Sequence, residues 1–310
     1  LISSPTVNRI VGESDTESES AEAEVEQNEQ RAKQDAFLSG SSEAETETVH
    51  SPEPLTELEI RYDTPSLNSV TLSRGPIEVK VSYTAREDIT PENRPLLRYE
   101  IFHEGELSVK DAAIAVGSGS VLIGDFDQDG GMEVAVQAFT GGAHCCLSTT
   151  VYSWNGRNFN KLSLDEMLGG EFEDIDGDGS YEFVTIDSDF LAKFSSYAGS
   201  VAPPMIFSLV DGEFINSTQD YPDYIYSKIA DLEHRNQQQM NAHSLLAAYV
   251  ASKSLVGEVE SGWAYMLNHY SQDPALGLGM SIRDQNGEVV DRHPNFPTAL
   301  EAFLIEQGYL

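Results

Sequence analysis

The chain has 310 residues, 52 acidic against 18 basic, for a net charge of −34. A field of that sign repels phosphate backbones and anionic membrane surfaces, which argues against nucleic acid as a partner. No apolar run is long enough to span a bilayer.

Residues 1–60 carry 15 acidic and 3 basic residues and are rich in Ser, Glu, Gln and Ala. Long stretches there, such as Glu13 to Glu29, lack apolar periodicity. Such a segment cannot bury enough surface to offset its chain entropy, so a disordered acidic leader is expected. The sequence starts at Leu1 rather than Met. An acidic, Ser-rich tether of this kind often follows a cleaved signal, so a periplasmic or extracellular location is expected although no signal is in the sequence itself.

The remaining residues, about 250, can build a substantial core in one or two domains. Residues 61–219 read as a repeat β domain and residues 220–310 as a helical region. Ile77, Val79, Val81 and Tyr83 alternate as a strand, Leu97 to Phe102 gives another, and Glu104-Gly105 occupies the turn before Leu107 and Val109.

Two copies of one acidic pattern follow. The first runs Asp125, Asp127, Asp129, Gly130, Gly131 and Glu133; the second runs Asp174, Asp176, Asp178, Gly179, Ser180 and Glu182. Alternate carboxylates of a tight loop converge on one point, and the glycine permits the left-handed turn that closes it. Converging carboxylates repel one another unless a cation sits between them. An oxygen-only set favours a hard ion, and Ca²⁺ tolerates a flexible loop better than Mg²⁺ does. Two Ca²⁺ sites are therefore expected, with the backbone carbonyl of Gly131 or Ser180 as an extra ligand. The competing reading is a pair of solvated Asp/Gly turns without an ion. An EF-hand is excluded because it needs Glu at loop position 12, where this chain has Val136 and Thr185.

The flanks of both loops are β-rich. Val121, Leu122 and Ile123 precede the first, Val134, Ala135, Val136 and Phe139 follow it, and Phe183 to Ile186 follow the second. After each loop come two further apolar runs joined by a hairpin pair, Asn155-Gly156 or Asp211-Gly212. Residues 76–219 thus read as about three antiparallel units of up to four strands each. The fold class expected is mainly β: antiparallel four-stranded blade-like repeats in an incomplete, propeller-like array, since closed propellers take about four to eight blades, followed by helices.

The stretch Ile123 to Gly130, followed by a strand, resembles the FG-GAP/VCBS repeats of integrin-like propellers, and residues 171–186 resemble the same pattern without its leading Gly-Asp. The resemblance implies that Asp125, Asp127, Asp129 and Glu133 hold Ca²⁺ and that the repeats serve recognition or scaffolding. The segment Gly141 to Cys146 also resembles one in secreted bacterial proteins of this kind.

Cys145 and Cys146 are the only cysteines and are adjacent. The alternatives are a reduced pair on opposite faces of a strand, a vicinal disulfide and an intermolecular bridge. A nucleophilic Cys with His144 as base is the enzyme version, and strand geometry points neighbouring side chains apart. Asp187 and Asp189 form a second candidate, either as a carboxylate pair or as turn residues.

From Pro222 the period becomes helical, through Ile229, Leu232, Leu245, Leu246, Tyr249, Val250, Trp263 and Met266, suggesting two or three helices. A last helix is expected at Thr298 to Gln307, with Thr298 as N-cap and Gly308 as its end. His234, His243, His269 and His293 show no metal-binding spacing, and there is no Gly-x-Ser-x-Gly elbow, phosphate loop or dinucleotide fingerprint. The function expected is a Ca²⁺-stabilised binding or scaffolding module for a protein or glycan ligand. The alternative is a hydrolase using the Gly141 to Cys146 loop or carboxylates near Asp187.

Overall fold

Alternating apolar residues build three antiparallel sheets between residues 56 and 216. The computed structural model describes residues 54–85, 90, 93–141, 147–164, 169–239, 243–271, 280–283 and 288–310, which lie in one compact unit spanning 50–310. Strand β1 (Thr56–Ile60) is followed by a four-stranded meander, β2 (Leu67–Arg74), β3 (Ile77–Thr84), β4 (Leu96–His103) and β5 (Glu106–Ile114). Next come β6 (Gly119–Gly124), β7 (Glu133–Phe139), β8 (Leu147–Trp154) and β9 (Phe159–Leu164), and β1 joins them in a sheet of order β1-β6-β7-β8-β9. The third sheet is a meander of β10 (Glu171–Glu173), β11 (Glu182–Ile186), β12 (Pro204–Val210) and β13 (Glu213–Asn216).

The five-stranded sheet lies between the other two and is buried on both faces. Val121, Ile123, Val134, Val136 and Tyr152 pack with Ile77, Val79, Val81, Leu97, Tyr99 and Ile101 of the first meander. Their neighbours Leu122, Ala135 and Val151 face the other way, against Phe172, Leu209 and Phe214 of the third sheet. The pleat sends successive side chains to opposite faces, so a strand covered on both sides reads as an unbroken apolar run. That is why β6 is Gly-Ser-Val-Leu-Ile-Gly with no polar alternation.

Two features depart from the sequence reading of this half. The acidic leader was expected to run to residue 60, yet Thr56–Ile60 is strand β1, with Ile60 buried in the core between the first two sheets. Its exposed Glu57 and Glu59 alternate with Thr56, Leu58 and Ile60, so the acidic composition concealed a short edge strand. Residues 1–53, including the rest of that leader, lie outside the described residues. Strand β2 also went unread, because Leu67–Arg74 mixes exposed Asn, Ser and Thr with only one fully buried residue, Leu72.

The C-terminal part is helical as expected: α1 (Pro222–Gln239), α2 (His243–Leu255), α3 (Val259–His269) and α4 (Phe296–Glu306), with the hairpin β14 (Met280–Arg283) and β15 (Val289–His293) before the last helix. Helix α2 is buried from Ser244 to Ser252, which fits a helix that neighbours cover on all sides. Phe190 and Phe194, from the segment joining β11 to β12, enter the helical core beside Leu246, Met266, Phe296 and Phe303. The cap of α4 is Asn295 rather than Thr298: its side chain accepts hydrogen bonds from the Thr298 backbone N–H and hydroxyl at 3.0 and 2.9 Å. With Asn295 as cap, Pro297 falls in the first turn, where its missing N–H costs nothing.

Candidate metal centre

The first acidic loop joins β6 to β7 and the second joins β10 to β11, so strands flank both. Each is folded by short side-chain turns. In the first, Asp125 Oδ2 accepts from Gly130 N–H (3.1 Å), Asp127 Oδ1 from Asp129 N–H (3.3 Å) and Asp129 Oδ1 from Gly131 N–H (2.5 Å). In the second, Asp174, Asp176 and Asp178 accept from the N–H groups of Gly177, Asp178 and Ser180 at 2.8, 3.2 and 2.7 Å. Gly130 takes φ +86° and Gly179 φ +97°, the left-handed turn that glycine makes cheap.

This folding gathers Asp125, Asp127 and Glu133 so that one carboxylate oxygen of each lies within 4.8 Å of the others, and Asp174, Asp176 and Asp178 likewise. Asp129 and Glu182 fall outside these closest sets. Asp129 is exposed and spends an oxygen on the Gly131 N–H. Glu182 is buried at the base of its loop, where it accepts from the Ile175 N–H at 3.3 Å and from the Tyr221 hydroxyl. Gly131 and Ser180 sit at the loop ends with their N–H groups engaged.

Glu133 is 1% exposed. Burial first, and then the charges of Asp127 and Asp125, push its carboxyl up to about 7, against hydrogen bonds from the Phe126 N–H and the Ser153 hydroxyl. Burial also raises Asp125, where Asp129 adds to the effect, and Asp127, where Asp129 and Asp125 do. Glu182 is raised chiefly by burial. Most telling is Asp125 Oδ1, which is buried and accepts no hydrogen bond. A buried carboxylate oxygen without a donor is costly, and a hard cation among these oxygens would satisfy it. The residues present therefore fit Ca²⁺.

Sequence reasoning missed two residues that join the loops. Tyr181 N–H donates to the Phe126 carbonyl at 2.8 Å, and Gln128 Nε2 donates to the Asp178 carbonyl at 2.5 Å. The Phe126 ring lies 4.7 Å from that of Phe172 and 6.3 Å from that of Tyr181. The available signal was Gln128 itself, which stands where the second loop has Gly177. Both have positive φ, +57° and +79°.

The other candidates separate differently. His144, Cys145 and Cys146 lie outside the described residues. Asp187 is 6% exposed: one oxygen caps the turn at Asp189 N–H (2.9 Å) and the other accepts from the Tyr309 hydroxyl (2.8 Å). It fastens the chain's end to the third sheet rather than facing a partner carboxylate across a cleft. His243 stacks on Phe296 at 4.2 Å, and burial lowers its pKa. His269 stacks on Tyr265 at 4.0 Å, and His234 hydrogen-bonds Gln238.

Antiparallel sheets with two acidic loops, followed by C-terminal helices, define a mainly β protein with a helical C-terminal part. Residues 225–308, from within α1 to just past α4, match the model of the sll0997 C-terminal domain family. The chain is 31% identical over 263 residues to the probable thylakoid lumen protein sll0997 of Synechocystis sp., covering 80% of this chain and 77% of that protein. It therefore belongs to the sll0997 family. It is also 29% identical over 188 residues to the uncharacterized protein y4bJ of Sinorhizobium fredii, covering 54% of this chain and 29% of that longer protein. No solved structure matches.

Proposed function

We propose that this protein is a calcium-stabilised binding or scaffolding module of an exported protein, with the ions structural. The observation that carries the reading is the buried, donorless Asp125 Oδ1 among three carboxylates within 4.8 Å of one another. The repeat of the same loop at Asp174 to Asp178 supports it, and so does the resemblance to the FG-GAP/VCBS repeats of integrin-like propellers. Export is supported by the thylakoid lumen in the name of the Synechocystis relative, a compartment reached by crossing a membrane. No helix among the described residues is long and apolar enough to span a bilayer. A cleft of 430 Å³ opens beside the first loop, lined by Asp129, Ser153, Trp154, Asn155, Asn160 and Asp211, and offers a protein or glycan ligand polar groups of both kinds.

The test is elemental analysis after dialysis against calcium, together with thermal melts with and without a chelator. Two ions per chain are expected, each raising stability by about 2.7 kcal/mol at a hundredfold excess over its Kd. No bound metal and an unchanged melting temperature would overturn the reading.

A further inference from the structure

We infer that the two loops form one coupled pair of ion sites, in which filling the first raises the affinity of the second. This rests on the calcium reading above. Both inter-loop hydrogen bonds attach to backbone that the ions would fix. Phe126, whose carbonyl receives the Tyr181 N–H, lies between Asp125 and Asp127. Gln128, which donates to the Asp178 carbonyl, lies between Asp127 and Asp129, while Asp178 belongs to the second carboxylate set. Phe126 is 1% exposed and packs with Phe172 and Tyr181, so a rearrangement of the first loop is carried into the base of the second.

The backbone at Gln128 strengthens the case. A residue with a Cβ seldom adopts φ +57° and persists there only when its surroundings hold it. Its bond to the other loop supplies such a hold. The sites are also unequal. In the first set Glu133 is buried and both aspartates are partly buried, whereas Asp176 and Asp178 of the second are exposed. Carboxylates gathered out of water gain most from a cation, so the first site is the tighter one and the second depends on it. Coupling of this kind is reciprocal, and typical values correspond to about 5- to 150-fold in affinity.

The experiment uses the full chain stripped of calcium, titrated with calcium by calorimetry and with terbium. Tyr181, whose phenol lies in the field of Asp174, sensitises terbium at the second site. The wild type is expected to take up two ions cooperatively. Asp127→Asn is expected to weaken the second site at least 5-fold although no residue of that loop has changed. Gln128→Ala alters an exposed side chain, keeps the variant folded, and is expected to leave two ions while reducing the cooperativity. Independent binding in the wild type, an unchanged second site in Asp127→Asn, or undiminished cooperativity in Gln128→Ala overturns the coupling and leaves the calcium reading standing. No uptake of either ion by the wild type overturns both.

Discussion

The two acidic loops share a sequence pattern and differ in what surrounds them. The first grows from the five-stranded sheet, which is covered on both faces, and its second residue, Phe126, is buried between sheets. The second loop grows from β10, only three residues long, and its second residue, Ile175, is half-buried. The pattern thus gathers the first two aspartates in both loops, the third carboxylate being Glu133 in one and Asp178 in the other, while the position of the parent sheet sets how much water they lose. Desolvation raises both glutamates against two hydrogen bonds each, from Phe126 and Ser153 at Glu133 and from Tyr221 and Ile175 at Glu182, and it carries Glu133 up to about 7.

The largest effect expected from this contrast is at the second loop position. Phe126→Ala should cost about 3 to 5 kcal/mol, as core aromatic truncations do. Ile175→Ala should cost clearly less, because its side chain is not fully enclosed. Equal losses in denaturant melts would break the contrast.

Next is the pH dependence of the calcium-free protein. Glu133 has a folded pKa of about 7 against an ordinary 4.5, so between those values the folded chain binds more protons than the unfolded one. Stability is then fullest below about pH 4.5 and falls as pH rises through 7, by roughly 3 kcal/mol from this group. Glu133→Gln should flatten that slope, and so should saturating calcium. Melts across pH 4 to 8 in chelator, about that range being set by the two pKa values, would expose a flat wild-type profile if the burial argument is wrong.

Asp127→Ala and Asp176→Ala are each expected to remove an ion, with the larger fall in melting temperature from Asp127→Ala. Metal content by mass spectrometry beside the melts would check both parts. The smallest effect concerns the fourth loop position. Gly177→Ala places a Cβ at φ +79° and should cost about 1 kcal/mol. Gln128→Gly should come closer to neutral, because relief of backbone strain offsets loss of the bond to Asp178.

The antiparallel hairpins were legible because their punctuation is local. Asn155-Gly156 and Asp211-Gly212 turn as their residue types require, with Gly156 and Gly212 at φ +88° and +77°. Likewise, the spacing of the aspartates brought three carboxylates together in each loop. What stayed hidden depends on distant partners. Whether Thr56–Ile60 is a strand is decided by β6, and the role of Gln128 by a carbonyl fifty positions away. Asp187 looked like a candidate for chemistry until Tyr309, from the far end of the chain, took its second oxygen. Asn295 and Thr298 are both good capping residues, and only the backbone geometry chose between them.

Strand β1 carries a consequence for how the chain assembles. Thr56 pairs with Ile123 and Ile60 with Gly119, so the whole first meander is made before the partner strand exists. The hairpins of that meander close between sequence neighbours, which is fast, while β1 must wait for a long loop to close, which is slow. Until then its backbone is an open template for another chain. Glu57 and Glu59, both exposed, place like charges along that waiting edge, where they repel a second copy of the same strand and leave β6 as the partner without such a penalty.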